Sequence, residues 1–272
     1  MSSTSANVRS RGEKFTPRIE TKITREIPAA HNPYLVRQSR LHGYDHLELM
    51  RDHELSDVIF LLFRGELPDH HERQLFRRLM IGLINPGPRH PATQASITAG
   101  VGKTMSVNVL PIALSIFGGE FDGAATVEDA MRFLRRASRK PARDCAESDA
   151  TQLPGFGTLY GDPDPYAEKL LYTLVDEQAG KILRWAAQLH EALRSGHLGI
   201  LKSGLCAAVL ADLGFQPRQG NGLMQLMAAP GLLAHGVEFA NKPLTSMLFE
   251  PDDCYEVAYA CTPARQSAEP TS

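Results

Sequence analysis

Cysteine is scarce in this chain: four in 272 residues, at Cys145, Cys206, Cys254 and Cys261. They form no Cys-x-x-Cys pair and no Cys/His ladder of zinc spacing, so neither a disulfide framework nor a metal site is expected. A chain this long buries enough apolar surface to hold together without cross-links, and reduced thiols in a cytoplasmic setting are the plain expectation. An excess of one charge is missing too. Twenty-nine Lys and Arg stand against 31 Asp and Glu, a net charge of −2. That leaves no broad basic field for a phosphate backbone, so no nucleic-acid partner is expected. No apolar run approaches the ~20 residues a bilayer span needs, which argues against a membrane. The stretch from Met1 to Lys22 is rich in Ser, Thr, Arg and Lys and has no apolar h-region. It is expected to be a flexible tail, not a secretory signal, and Pro263 to Ser272 a second tail. Period-two runs closed by hairpin turns are nearly absent as well.

Helix signals fill the space that strand signals leave. Ser56 can cap a helix through the apolar run Val58 to Phe63, and Gly65 sits where a glycine would end it. Asp69 and Glu72 form a capping pair ahead of Leu75, Leu79 and Leu83, which share a face. Thr126 and Asp129 open another helix through Val127, Ala130, Met131 and Leu134. The longest pattern runs from Tyr166 to Ser195. There Leu171, Val175, Gln178, Ile182, Trp185, Leu189 and Ala192 recur in steps of four and three, and the stripe is read as core packing. Gly204 to Leu213 reads as a buried helix closed by Gly214, and Met224 to His235 as an apolar helix that Pro230 can kink. Loops are expected at Asn85–Pro91, Pro154–Pro165 and Gln216–Gly222, and loops are where sites are built. The fold class is all-α.

Several motifs follow one another in a telling order. Thr21 to Thr24 (TKIT) and Gly43 to Asp45 (GYD) come first, then Asp57 to Pro68 (DVIFLLFRGELP). Asn85 to Pro88 (NPGP), Gly118 to Ala124 (GGEFDGA) and Pro154 to Gly157 (PGFG) follow. Gly204 to Phe215 (GLCAAVLADLGF), then Leu232 to His235 (LLAH) with Glu238, complete the set. Each motif is weak alone. The ordered set, across about four-fifths of the chain, resembles the citryl-CoA lyase branch of the citrate synthase superfamily in its compact form.

The resemblance implies an all-helical protein with a cleft between a large and a small domain, closing over an acyl-CoA. It puts residues 23–122 and 223–262 in the large domain and 123–222 in the small one. It also implies a homodimer, with a coenzyme A ester as substrate and no metal. Family members make or break a carbon–carbon bond beside a thioester, using an aspartate base, two histidine donors, and arginines that clamp carboxylates.

Here nearly all of those side chains are replaced. The enol-binding histidine falls on Asp122, the keto-binding histidine on Thr158 and the base aspartate on Ser203. The aspartate–histidine pair of the family's "DHGP" falls on Asn85 and Pro86. The arginine positions fall on Tyr166, Ala228 and Glu250. The citrate reaction is therefore not expected.

Two functions stay open. The first is a diverged lyase or acyltransferase in which Asp122 is a relocated base, with Thr158, Ser203 and Asn85 as donors. Backbone at Pro154, Gly155, Phe156 and Gly157 would lie near the thioester, and Lys202 would meet a CoA phosphate. Arg89, His90 and Tyr166 complete the substrate-binding candidates. The second is a non-catalytic homologue, either a CoA-ester sensor or an accessory subunit forming a heteromer with an active relative. Bland readings stand beside these. Asp122 can cap a helix starting near Gly123, His90 can be a solvated loop residue, which is the favoured reading, and Lys202 can be a plain surface lysine.

Overall fold

The computed structural model describes residues 18–147, 153–175, 179–247 and 251–254. In chain order come β1 (Thr24–Ala29), β2 (Asn32–Leu41), β3 (Tyr44–Asp45), α1 (His46–Asp52), α2 (Leu55–Arg64) and α3 (His70–Gly82). Next are α4 (Pro91–Val101), α5 (Ser106–Phe117), α6 (Val127–Ala137) and α7 (Ala142–Ala146). Then follow β4 (Phe156–Gly157), α8 (Pro165–Leu174), α9 (Lys181–Leu193), β5 (Gly199–Ile200), α10 (Lys202–Asp212) and α11 (Pro217–Ala240). The helical expectation holds. Both expected tails lie wholly or mostly outside the described residues, as do Gln178, Glu250 and Cys261.

Two compact units emerge. One joins Met1–Leu83 with Glu120–Met227, and the other joins Ile84–Gly119 with Ala228–Ser272. This grouping and the large/small division implied by the resemblance are different partitions of the chain.

In the first unit the core forms where two of the sequence motifs meet. Phe60 of α2, Phe76 of α3 and Phe215 beyond α10 pack with ring centroids 5.2–5.7 Å apart. Each such buried ring contributes about 1.5–3 kcal/mol by leaving water. Gly65 ends α2 in the left-handed conformation, as its position predicted. The preceding Arg64 then donates to the Gly214 carbonyl at 3.0 Å, which ties the end of one motif to the end of the other. Helix α10 is buried on every side from Ser203 to Ala211 and packs on α6 and α9. A helix apolar all round has no other stable place.

The second unit holds α4, α5 and the later part of α11. Ser96 Oγ donates to the Leu232 carbonyl at 2.5 Å. The Lys103 ammonium caps the end of α11 at Ala240 O (2.6 Å) and Lys242 O (2.8 Å), where the helix dipole is negative.

Four local expectations are corrected. A three-stranded sheet, β1-β2-β3, stands where no strands were read. Its residues are mostly exposed, so no inside/outside alternation marks them in the sequence. Helix α2 is capped by Glu54 in a box with Asp57, not by Ser56. Residues 217–222 are helical, not a loop, and make the first turns of α11. Just beyond Pro230 in that helix, the Gly231 amide donates to the Ile84 carbonyl at 3.1 Å.

The fourth correction concerns the single long helix read from Tyr166 to Ser195, which is two helices, α8 and α9. Asp212 supplies the reason. Its carboxylate accepts from the amides of Ile182 and Leu183, both at 2.8 Å, and so caps the start of α9 from a distant part of the chain. Gly180 leaves room for it, since a β-carbon there would lie 2.3 Å from the Asp212 carboxyl carbon.

Candidate functional site

The start of α10 is the point where the predicted residues of the first unit converge. The PGFG turn docks on it at van der Waals limits. A β-carbon on Gly204 would lie 2.0 Å from the Gly155 carbonyl oxygen, and one on Gly155 would lie 2.5 Å from Gly204 Cα. Gly155 also has φ +83°, a conformation that side chains disfavour. The contact is fastened by the Leu201 amide, which donates to Gly155 O at 2.9 Å. Antiparallel pairing of β4 with β5 fastens it again, Phe156 opposite Ile200 and Gly157 opposite Gly199. Thr158 follows directly and is exposed; Pro154 is half-buried. Ser203 is buried at 5% exposure in the first turn of α10.

An ion cluster sits at the same helix start. The Lys202 ammonium lies 2.7 Å from Asp122 Oδ2 and 3.8 Å from Asp164 Oδ2. All three side chains are largely withdrawn from water, at 16%, 9% and 6% exposure. Asp164 uses its other oxygen to cap α8, accepting from the amides of Tyr166 (2.8 Å) and Ala167 (3.1 Å). Its Oδ2 is buried and has no hydrogen-bond partner. The cluster thus holds two carboxylates against one ammonium.

Asp122 is not a helix cap. Helix α6 starts at Val127 with Thr126 in the N-cap position. Asp122 instead has φ +48°, a left-handed conformation uncommon for residues with a side chain. Lys202 is not a plain surface lysine either: its ammonium is held between carboxylates. Phe121, next to Asp122, packs edge-on against Tyr160 at 5.2 Å, and so links the Asp122 loop to the loop that carries Thr158. Tyr166 is exposed on the first turn of α8.

Asn85, Arg89 and His90 belong to the second unit. Asn85 is exposed and turns its Oδ1 onto the Gly87 amide at 2.9 Å. Arg89 is exposed. His90 corrects the solvated-loop reading, since it is buried at 5% exposure. Its Nδ1 accepts from the Ala92 amide at 3.0 Å to cap α4, and its ring lies 5.3 Å from that of Phe117. The buried face of Phe117 and the free first amides of α4 are what hold it there. With Nδ1 accepting, the ring proton is placed on Nε2.

Sequence reasoning missed Asp164. Asp followed by Pro165 before an apolar run signals a helix start and finds the cap. Nothing local signals that its second oxygen faces Lys202, 38 positions further on. Another polar cluster was also unforeseen. Buried Asp57 takes Arg73 Nε at 2.8 Å and the Glu54 amide at 3.3 Å, beside a cavity of about 340 Å³. These bonds join α2 to α3, a structural task. Among the described residues no group of three or more His, Cys, Asp or Glu could hold a metal ion, and no helix is long and apolar enough to cross a membrane.

No family model matches the sequence. No characterised protein sequence matches it either. Solved structures do. Citryl-CoA lyase from Hydrogenobacter thermophilus superposes with a TM-score of 0.74 at 24% identity, covering 91% of this chain and 96% of that one. ATP citrate lyase from Methanosaeta concilii, bound to (3S)-citryl-CoA, gives 0.72 at 19% identity over 92% of this chain. The match covers 43% of that larger protein. Citrate synthase from Thermoplasma acidophilum, with carboxymethyl coenzyme A and oxaloacetate bound, gives 0.55 at 18% identity over 77% of this chain and 59% of that one. The chain shares the citrate synthase-like fold of these structures.

Proposed function

We propose that this chain binds a CoA ester and acts on the carbon beside its thioester, with an electrophile other than oxaloacetate or citrate. The observation that carries the proposal is Asp122. It is a carboxylate held in a left-handed turn and ion-paired to Lys202, beside the docked PGFG turn. Removing a proton next to a thioester needs such an aimed base, with donors for the oxygen that gains charge. Thr158 and Ser203 are the donors in this reading, and the backbone from Pro154 to Gly157 lies along the thioester. Tyr166 is assigned to the remainder of the substrate, and Asn85, Arg89 and His90 are separate substrate-binding candidates of the second unit. The family's arginine and histidine positions are read as other residues here, which argues against a dicarboxylate clamp, and the local surplus of carboxylate agrees with that. The same proposal includes a homodimer.

A second reading, a non-catalytic CoA-ester sensor or accessory subunit, draws support from side chains already engaged by the fold. Asp122 is bound by Lys202, Asn85 Oδ1 by the Gly87 amide, and His90 Nδ1 by the Ala92 amide.

Native mass spectrometry with acetyl-, propionyl- and longer acyl-CoAs tests CoA binding. A dimer carrying a CoA ester supports the enzyme and sensor readings, and a dimer that ignores every CoA compound sinks both and leaves the accessory subunit. Turnover separates the two. With a substrate in hand, Asp122→Asn lowers the rate by ~10²–10⁴ if Asp122 is the base. An unchanged rate removes that assignment.

A further inference from the structure

The Asp164 oxygen that faces Lys202 is the least explained atom in the first unit. Buried carboxylate oxygens are nearly always hydrogen-bonded, because leaving one unpaired forfeits its hydration with nothing in return. Asp164 Oδ2 is buried and unbonded, with the Lys202 ammonium 3.8 Å away, roughly 0.6 Å beyond hydrogen-bond range. That ammonium is meanwhile bonded to Asp122 at 2.7 Å. Capping explains only Oδ1, which serves the Tyr166 and Ala167 amides. A lysine carries three donors on a flexible stem, so a movement of about 1 Å would bring it to the second oxygen.

We infer that Asp164 is a positioning residue that provides a second seat for the Lys202 ammonium. Lys202 sits on Asp122. When Asp122 turns to a ligand, the ammonium moves onto Asp164 Oδ2. The charge then stays paired throughout, which matters because a buried ion left without its partner is strongly destabilising. The inference rests on the proposed function only for its purpose; the handover is a property of the chain by itself.

The test reads the Lys202 ammonium directly, by proton–nitrogen NMR of ¹⁵N-lysine-labelled full-length protein. Such signals survive exchange with water only when the ammonium is held. Lys202→Arg, which deletes the signal, assigns it. In Asp122→Asn the signal persists, because Asp164 takes the ammonium, and it is lost in the Asp122→Asn/Asp164→Asn double variant. Loss in Asp122→Asn alone overturns the inference, and so does persistence in the double variant.

Asp164→Asn alone is the arm that keeps the fold, since Asn retains the oxygen that caps α8. There the ammonium exchanges several-fold faster, because it loses the charge of the seat 3.8 Å away to which it moves when its bond to Asp122 opens. Unchanged exchange means that Asp164 is a cap and nothing more. None of these measurements uses a CoA compound, so a failure here is distinct from a failure of the proposed function.

Discussion

Gly204→Ala sets two rules against each other at the heart of the site. In a helix, replacing glycine with alanine ordinarily stabilises by roughly 0.5–1 kcal/mol, because glycine loses more backbone freedom on folding. At Gly204 the added β-carbon would lie 2.0 Å from the Gly155 carbonyl oxygen and 2.7 Å from its carbon. Those are backbone atoms, so no side chain can swing aside. The PGFG turn must retreat from α10 by an ångström or more. Retreat breaks the 2.9 Å bond from the Leu201 amide to Gly155 and loosens the pairing of β4 with β5. A lost backbone bond costs about 1 kcal/mol, and forced overpacking typically ~1–3 kcal/mol. The expected net is a destabilisation of about 1–3 kcal/mol, opposite in sign to the helix rule. Urea unfolding followed by fluorescence measures it, because the single tryptophan, Trp185, is buried in the same unit and bonded to Lys140 O. A variant as stable as the parent, or more so, would refute the docking argument and with it the placement of the turn over the candidate site.

Three further outcomes are expected. Lys202→Met leaves the Asp122 and Asp164 carboxylates withdrawn from water without their cation, and it destabilises by about 3–5 kcal/mol near neutral pH. Thermal or urea unfolding checks this, and a change below experimental error would show that the cluster is solvated. Asp212→Ala removes the cap of α9 and costs about 1–2 kcal/mol, whereas Asp212→Asn keeps an accepting oxygen and loses less. Burial pushes the Asp212 carboxyl above the usual carboxylate value, against the pull of the Leu183 and Ile182 amides. With the folded value raised, its contribution is full below the unfolded value and fades as pH climbs through the folded one. Asp212→Asn therefore flattens the parent's loss of stability across that window, and an unaltered pH profile would contradict this. Finally, Cys206 is fully buried, and burial pushes its thiol far up. Mapped alkylation of native protein should label exposed Cys254 and spare Cys206 until denaturant is added. Early labelling of Cys206 would mean that α10 is not the sealed core helix described above.

The sequence by itself determined the helical class and the motif order that resembles citryl-CoA lyases. It also determined those helix ends whose signals are local. Asp69 with Glu72 and Gly65 mark their boundaries because each acts on amides or carbonyls within a turn of itself. The tertiary structure decided whatever depends on partners far along the chain. Asp212 divides α8 from α9 from thirty positions away, where the apolar stripe ran on unbroken. His90 is a buried cap and not a loop residue, because Phe117 lies against it. Asp122 looked like a cap or a base with equal reason until its φ of +48° and its bond to Lys202 set it apart from α6. Asp164 carried a local signal for its first oxygen and none for its second, since facing Lys202 is a fact of packing and periodicity records only the face a residue turns to the core.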